Sequence, residues 1–129
     1  MSGIMDVISI EDMRVLEINS RALGVPTLLL MENAGAAVAR AIELELGSLK
    51  NKDIIIIAGK GGKAGDSFVA ARHLSRLGAK VKIFMLYHPS EITHEDTKFN
   101  YQIISKMKSI SIQRFNKDID LSSDVIIDG

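Results

Sequence analysis

At 129 residues and 14.1 kDa the chain has the length of one domain built on one core. Its 16 basic and 16 acidic residues cancel to a formal charge of +0, leaving no overall field to gather nucleic acid or anionic lipid. A composition that is 47% hydrophobic and 25% charged excludes a disordered chain. With Cys 0 there can be no disulfide, thiolate metal site or cysteine nucleophile, and His73, His88 and His94 lie too far apart for a helical zinc-ligand pair. No run approaches the roughly 18 apolar residues of a membrane span, and no basic stretch leads into a long apolar one at the N-terminus. The expected compartment is the cytoplasm, with neither membrane nor nucleic acid as partner.

Taken in chain order, Ser9 and Asp12 form a capping-box pattern around Ile10, Met13, Leu16 and Ile18, with Gly24 as a stop, which predicts a first helix. Pro26 opens a second helix that runs through Leu46 and ends at Gly47. Ile54 to Ile57 is a β-branched run, apolar on both faces and too short for a helix, as expected of a buried parallel strand. After it comes the stretch Gly59-Lys60-Gly61-Gly62-Lys63-Ala64-Gly65-Asp66-Ser67. Phe68, Val69, Ala71, Leu74 and Leu77 then recur at helical spacing up to Gly78. Val81 to Leu86 predicts a strand, and Thr93 to Met107 a helix with Phe99, Ile103, Ile104 and Met107 on one face. Ser111 to Phe115 and Val125 to Ile127 predict two further strands. Strands alternating with helices predict a three-layer, Rossmann-like α/β fold, mostly parallel, with helices on both faces. The chain stops at Asp128-Gly129, where a covering helix should follow, so a domain truncated after the fourth strand is expected.

In such a sheet, ligands sit beyond the carboxyl ends of the strands, where a glycine turn and a helix start bring backbone N–H groups to an anion. Gly59 to Asp66 occupies that place. Gly59-x-Gly61-x-x-Ala64 fits a loose dinucleotide fingerprint, but no Asp or Glu closes the next strand at Leu86 to His88 to hold an adenine ribose. A phosphate loop of the ATPase kind fails as well, because Ala64 follows Lys63 where Ser or Thr belongs. The ordinary alternative is a tight turn with Asp66 or Ser67 capping the helix.

Leu30-Met31-Glu32-Asn33-Ala34-Gly35, together with the stretch from Ala58 through the glycines to Arg72, His73 and Leu74, resembles the NAD(P)H-hydrate epimerase family, the YjeF N-terminal domain. Asp96 and Asn100 fall in that family's fourth-helix region, and Asp124 to Gly129 resembles the strand entering its second glycine loop. The resemblance implies an isomerase that interconverts the R and S epimers of hydrated NADH and NADPH, so that an ADP- or ATP-dependent dehydratase, in some members fused, can restore the cofactor. It implies substrate contacts at Gly62, Lys63, Ala64, Gly65 and Asp66, and a potassium ion held by Asp128. The family's other side-chain ligand, an Asn, falls at the position of Lys63, Ala64 replaces a Gly, and Ser67 replaces another.

Lys63 suggests its own role: a lysine ammonium is a compact monovalent cation that could occupy the ion site, neutralise Asp128 and touch substrate phosphate, the ordinary alternative being a solvent-facing lysine at a loop tip. The family's acid/base aspartate lies beyond Gly129, so no catalytic residue is assigned and the 129-residue unit is expected to be inactive. Asp66 is expected to orient the loop, Asn33 to flank the site, and Glu32 to lie at a surface or interface. His73, His88 and His94 are expected to face solvent wholly or in part. Met31, Ala34, Ala37 and Val38 form a face for intramolecular core or a homo-oligomer contact. The alternative function is a non-catalytic nucleotide-binding module or interaction scaffold on the same fold.

Overall fold

A computed structural model describes residues 23–129. The helix expected from Ser9 onward falls on residues 1–22, outside the described residues. Helix α1 (Thr27–Leu46) follows Pro26, whose φ of −60° suits the approach to a helix. It ends at Gly47, which adopts φ 77° and donates its N–H to Glu43 O at 2.8 Å. That left-handed stop is one a Cβ would strain. Strand β1 (Asp53–Ala58) takes in the isoleucines. Helix α2 (Gly62–Arg76) crosses back to β2 (Lys80–Met85), a 3₁₀ turn (Pro89–Glu91) leads into α3 (Glu95–Ile104), and β3 (Ile110–Arg114) and β4 (Val125–Asp128) complete the chain.

The sheet is entirely parallel with order β3-β2-β1-β4. The isoleucine strand is therefore interior, hydrogen-bonded to β2 on one side and β4 on the other. Side chains alternate across it. Ile54, Ile56 and Ala58, with Val81, Ile83 and Met85 of β2 and Val125 and Ile127 of β4, form one buried cluster with Phe68, Ala71 and Leu74 of α2. Ile42 of α1 and Ile104 of α3 join the same cluster, so the described helices serve that face. Phe68 meets Tyr101 edge-on, ring centroids 5.8 Å apart. The start of the sheet is fixed by Asp124, whose carboxylate accepts from Asp53 N at 2.7 Å while its own N–H donates to Asp53 O at 2.8 Å.

Helix α3 differs from its predicted face. Phe99 is 49% exposed, and the buried positions are Thr97, Asn100 and Ile104. Two polar residues turn inward because each is satisfied there. Thr97 Oγ1 donates to Gly61 O at 3.0 Å, and Asn100 Nδ2 donates to Asp96 O at 3.0 Å and to Met31 Sδ at 3.3 Å. Between β3 and β4 the chain runs without a helix. There Ser122 donates both its hydroxyl and its backbone N–H to Asp120, and with the charge of Lys82 these hold the carboxyl below its ordinary value against a small opposing desolvation.

Candidate functional site

The carboxyl ends of β1 and β4 meet the start of α2, and the glycine stretch is where they meet. As a loop it is shorter than its sequence suggests. Gly61 is the N-cap and Gly62 already the first helical residue, so Gly62 to Ser67 are helical turns and neither Asp66 nor Ser67 caps the helix. Packing explains this. Ala64, Gly65 and Ser67 are all buried, and that burial outweighs the roughly 1 kcal/mol each helical glycine costs. Gly65 has no alternative, since a Cβ there would strike the Met31 side chain and come 2.6 Å from Thr97 Oγ1. Ser67 Oγ donates to its own helix at Ala64 O, 2.7 Å away.

Three helices are pinned around this start. Gly35 of α1 lies so close to Val69 and to the Asp66 carbonyl that a side chain would not fit. Thr27 Oγ1 donates to Asp96 Oδ2 at 2.6 Å, joining the beginnings of α1 and α3. His94 caps α3 by accepting from Thr97 N through Nδ1 at 3.3 Å, while its Nε2 faces Gly62, 3.5 Å from where a Cβ would stand. His94 is solvent-exposed as expected, but its place against the glycines went unread. No local signal shows it, because histidine is not among the usual N-cap residues.

Gly61 brings no side-chain cap to α2. Ala64 and Gly65 both donate back to Gly61 O, at 3.1 and 3.3 Å, whereas the N–H groups of Gly62 and Lys63 precede the first intrahelical bonds. Strand β4 delivers Asp128 to the same corner. Asp128 pairs in register with Ile57, Gly129 donates to Ile57 O at 2.8 Å, and Gly59 donates to Gly129 O at 3.2 Å. Gly129 sits against Ser67, where a Cβ would come within 2.5 Å of Oγ.

Lys63 Nζ stands 3.7 Å from Asp128 Oδ2. The pair is open to water, with side chains 51% and 83% exposed, so it adds at most about 1 kcal/mol to stability. Its significance is where it puts charge. Potassium needs lone pairs, and an ammonium offers three donors and none. No group of three or more His, Cys, Asp or Glu side chains gathers as a metal cage among the described residues. These residues do not fit a potassium ion shared between Lys63 and Asp128.

Of the remaining candidates, Gly62 is at the helix start, Ala64 and Gly65 are buried, and Asp66 is half-buried in the second turn. Asn33 is exposed on α1. Glu32 lies at the surface, half-buried, and is tied to α2. Its carboxylate pairs with Arg72 and lies 2.6 Å from His73 Nε2, while Arg76 Nη2 is 3.2 Å from His73 Nδ1. Burial pushes the Glu32 pKa up, but hydrogen bonds from His73 and Arg72 and their charges outweigh it, so the net direction is down. Beyond β2, Lys60 Nζ lies 4.4 Å above the centre of the Tyr87 ring, a contact that sequence spacing gave no reason to expect.

Known proteins are similar to this chain in sequence and in fold. The NAD(P)H-hydrate epimerase of Nitrosopumilus maritimus is 35% identical over 123 residues, covering 95% of this chain and 57% of that protein. That of Cenarchaeum symbiosum is 39% identical with the same coverage. The bifunctional NAD(P)H-hydrate repair enzyme Nnr of Methanothermobacter thermautotrophicus is 39% identical over 124 residues, 91% of this chain and 23% of the relative. The chain thus spans little more than half the length of the epimerases it matches. The crystal structure of yeast ynu0 superposes with a TM-score of 0.65 at 25% identity, covering 81% of this chain and 46% of that one. The family model described as YjeF-related protein N-terminus matches residues 27–129. That span takes in α1, the glycines and β4, the three parts that converge on the site, and the chain belongs to this family.

Proposed function

We propose that the protein is an NAD(P)H-hydrate epimerase, and that this chain supplies the part of it that seats the substrate's pyrophosphate. The observation that carries the reading is the juxtaposition of Lys63 and Asp128, 3.7 Å apart, beside a helix start with no side-chain cap. A pyrophosphate accepts hydrogen bonds from helix-start amides and is favoured by the helix dipole. Lys63 adds a mobile ammonium, and its presence offsets the repulsion Asp128 would exert on an anion. The substrates are hydrated NADH and NADPH, and the product epimer passes to a dehydratase, fused as in the bifunctional relatives or separate, in the cytoplasm. The Lys63 ammonium and the backbone N–H groups of Gly62 and Lys63 form the proposed substrate contact, while Ala64 and Gly65, whose N–H groups donate to Gly61 O, and Asp66 shape the turn that carries them. The acid/base group comes from outside residues 1–129.

The test is to give the whole protein one purified epimer of hydrated NADH and follow the approach to the equilibrium mixture by chromatography. Acceleration over the spontaneous rate supports the reading. No acceleration with either hydrate, in protein shown to be folded, overturns it and leaves a nucleotide-binding module. Lys63 also sets an expectation for ions. With an ammonium beside Asp128, the epimerisation rate should change less than about twofold between sodium and potassium buffers of equal ionic strength. Strong activation by potassium would refute the role given to Lys63.

A further inference from the structure

We infer that Lys60, held over Tyr87, selects a dinucleotide bearing a phosphomonoester on its adenosine ribose, so that the preferred substrate is hydrated NADPH rather than hydrated NADH. The inference rests on the epimerase reading and deepens it. In an open parallel sheet a dinucleotide that sets its pyrophosphate at the helix after one strand lays its adenosine over the end of the next. Here the next strand is β2. Its last residue, Met85, pairs with Ala58, and Leu86 N donates to Ala58 O at 2.9 Å, so Leu86 and Tyr87 emerge beside Gly59 to Gly61.

A site for an unphosphorylated ribose needs a carboxylate at this strand end to accept from the hydroxyl, and the same carboxylate repels a phosphate. Residues 86–90 are Leu86, Tyr87, His88, Pro89 and Ser90. The first carboxylate beyond β2, Glu91, is engaged with the backbone, its Oε2 accepting from His88 N at 3.0 Å to cap the 3₁₀ turn. In place of an acceptor the structure sets a cation. The Lys60 ammonium lies 4.4 Å from the Tyr87 ring centre. Attraction to the ring restrains a long side chain at this spot while leaving ammonium protons for a second partner. The other lysine of the stretch is engaged with Asp128, so the two cations divide the ligand between them: Lys63 for the pyrophosphate and Lys60 for the ribose phosphate.

The test compares NADP⁺ with NAD⁺ binding by calorimetry, and kcat/KM for the two hydrates, in the whole protein and in K60Q, K60R and Y87A. NADP⁺ should bind about tenfold more tightly than NAD⁺, with a similar ratio of kcat/KM, since a charge-assisted contact of this kind distinguishes the two ligands. K60Q should bring both ratios to about one, Y87A should shrink them, and K60R should retain them. Equal affinities in the unaltered protein, or a preference that survives K60Q, would overturn the inference while the epimerase reading stands. A Lys60-dependent preference for NADP⁺ without turnover of either hydrate would uphold phosphate selection and remove the epimerase reading. If neither dinucleotide binds and neither hydrate is turned over, both fall.

Discussion

The Gly65 position shows how a residue that looks like a ligand contact can be fixed first by packing. It is buried in the first turn of α2, against a methionine from α1 and a hydroxyl from α3. Met31 is flexible and can yield, but Thr97 is fully buried and donates to Gly61 O at 3.0 Å. G65A should therefore lower unfolding free energy by about 1 to 3 kcal/mol as an overpacked site, read as a shifted denaturant midpoint at constant slope. An unshifted midpoint would mean the corner is looser than described. Glu32 makes a second residue-level prediction. Its pKa is lowered in the folded state from an ordinary value of 4.5, so the stability it contributes is present above that value and lost as pH falls through the folded one. In E32Q the acid-side decline below about pH 4.5 should be shallower than in the unaltered protein, as followed by thermal melts across a pH series. None of this could be read locally. Glu32 and His73 are 41 residues apart, and nothing in the run around either names the other. Lys63 and Asp128 were legible as partners because a family pattern put them at one ion site.

At the scale of elements, composition was a good guide wherever a backbone preference was strong. Gly47 and Gly78 end α1 and α2 at φ 77° and 96°, where side chains are rarely tolerated. The four isoleucines lie within β1 as expected. Periodicity misled where polar residues turn inward. Thr97 occupies the buried face of α3 because Gly61 O, 36 residues away, accepts from it, and Asn100 because Asp96 O in its own helix and Met31 Sδ, 69 residues away, both accept from it, and apolar periodicity does not reveal that. The glycine stretch misled in the opposite sense, since glycine argues for loop and only the tertiary burial of Ala64, Gly65 and Ser67 argues for helix. The link between the starts of α1 and α3 is open to a double-mutant cycle. T27A and D96A should each destabilise, and their coupling should be about 1 kcal/mol, since they share one hydrogen bond at 2.6 Å to a carboxylate. Strictly additive effects would show that the bond contributes nothing.

For the molecule as a whole, the alternation of strands and helices was enough to predict a parallel sheet, and the all-parallel order β3-β2-β1-β4 bears that out. The isoleucine run was expected to be a buried parallel strand, and β1 is one of the two interior strands, beside β2. Its other neighbour, β4, could not be placed by sequence distance, because Asp124 is joined to Asp53 across 71 residues. Ile56 has no exposed surface and lies in the cluster shared by sheet and helices. I56A should cost about 2 to 5 kcal/mol, as a large-to-small change in a core does, measured by chemical unfolding. A cost below about 1 kcal/mol would mean that the core refills around the change.

One consequence of the bare start of α2 reaches past binding into energetics. A helix that brings no side-chain oxygen to its leading amides is finished by whatever anion arrives, so occupancy and local opening of the first turn are two readings of one equilibrium. Protons on the nitrogens of Gly62 and Lys63 should exchange with solvent deuterium quickly in the empty protein and slow down as dinucleotide is added, while those deep in β1 keep their rates. The ligand would then serve as the last piece of the helix.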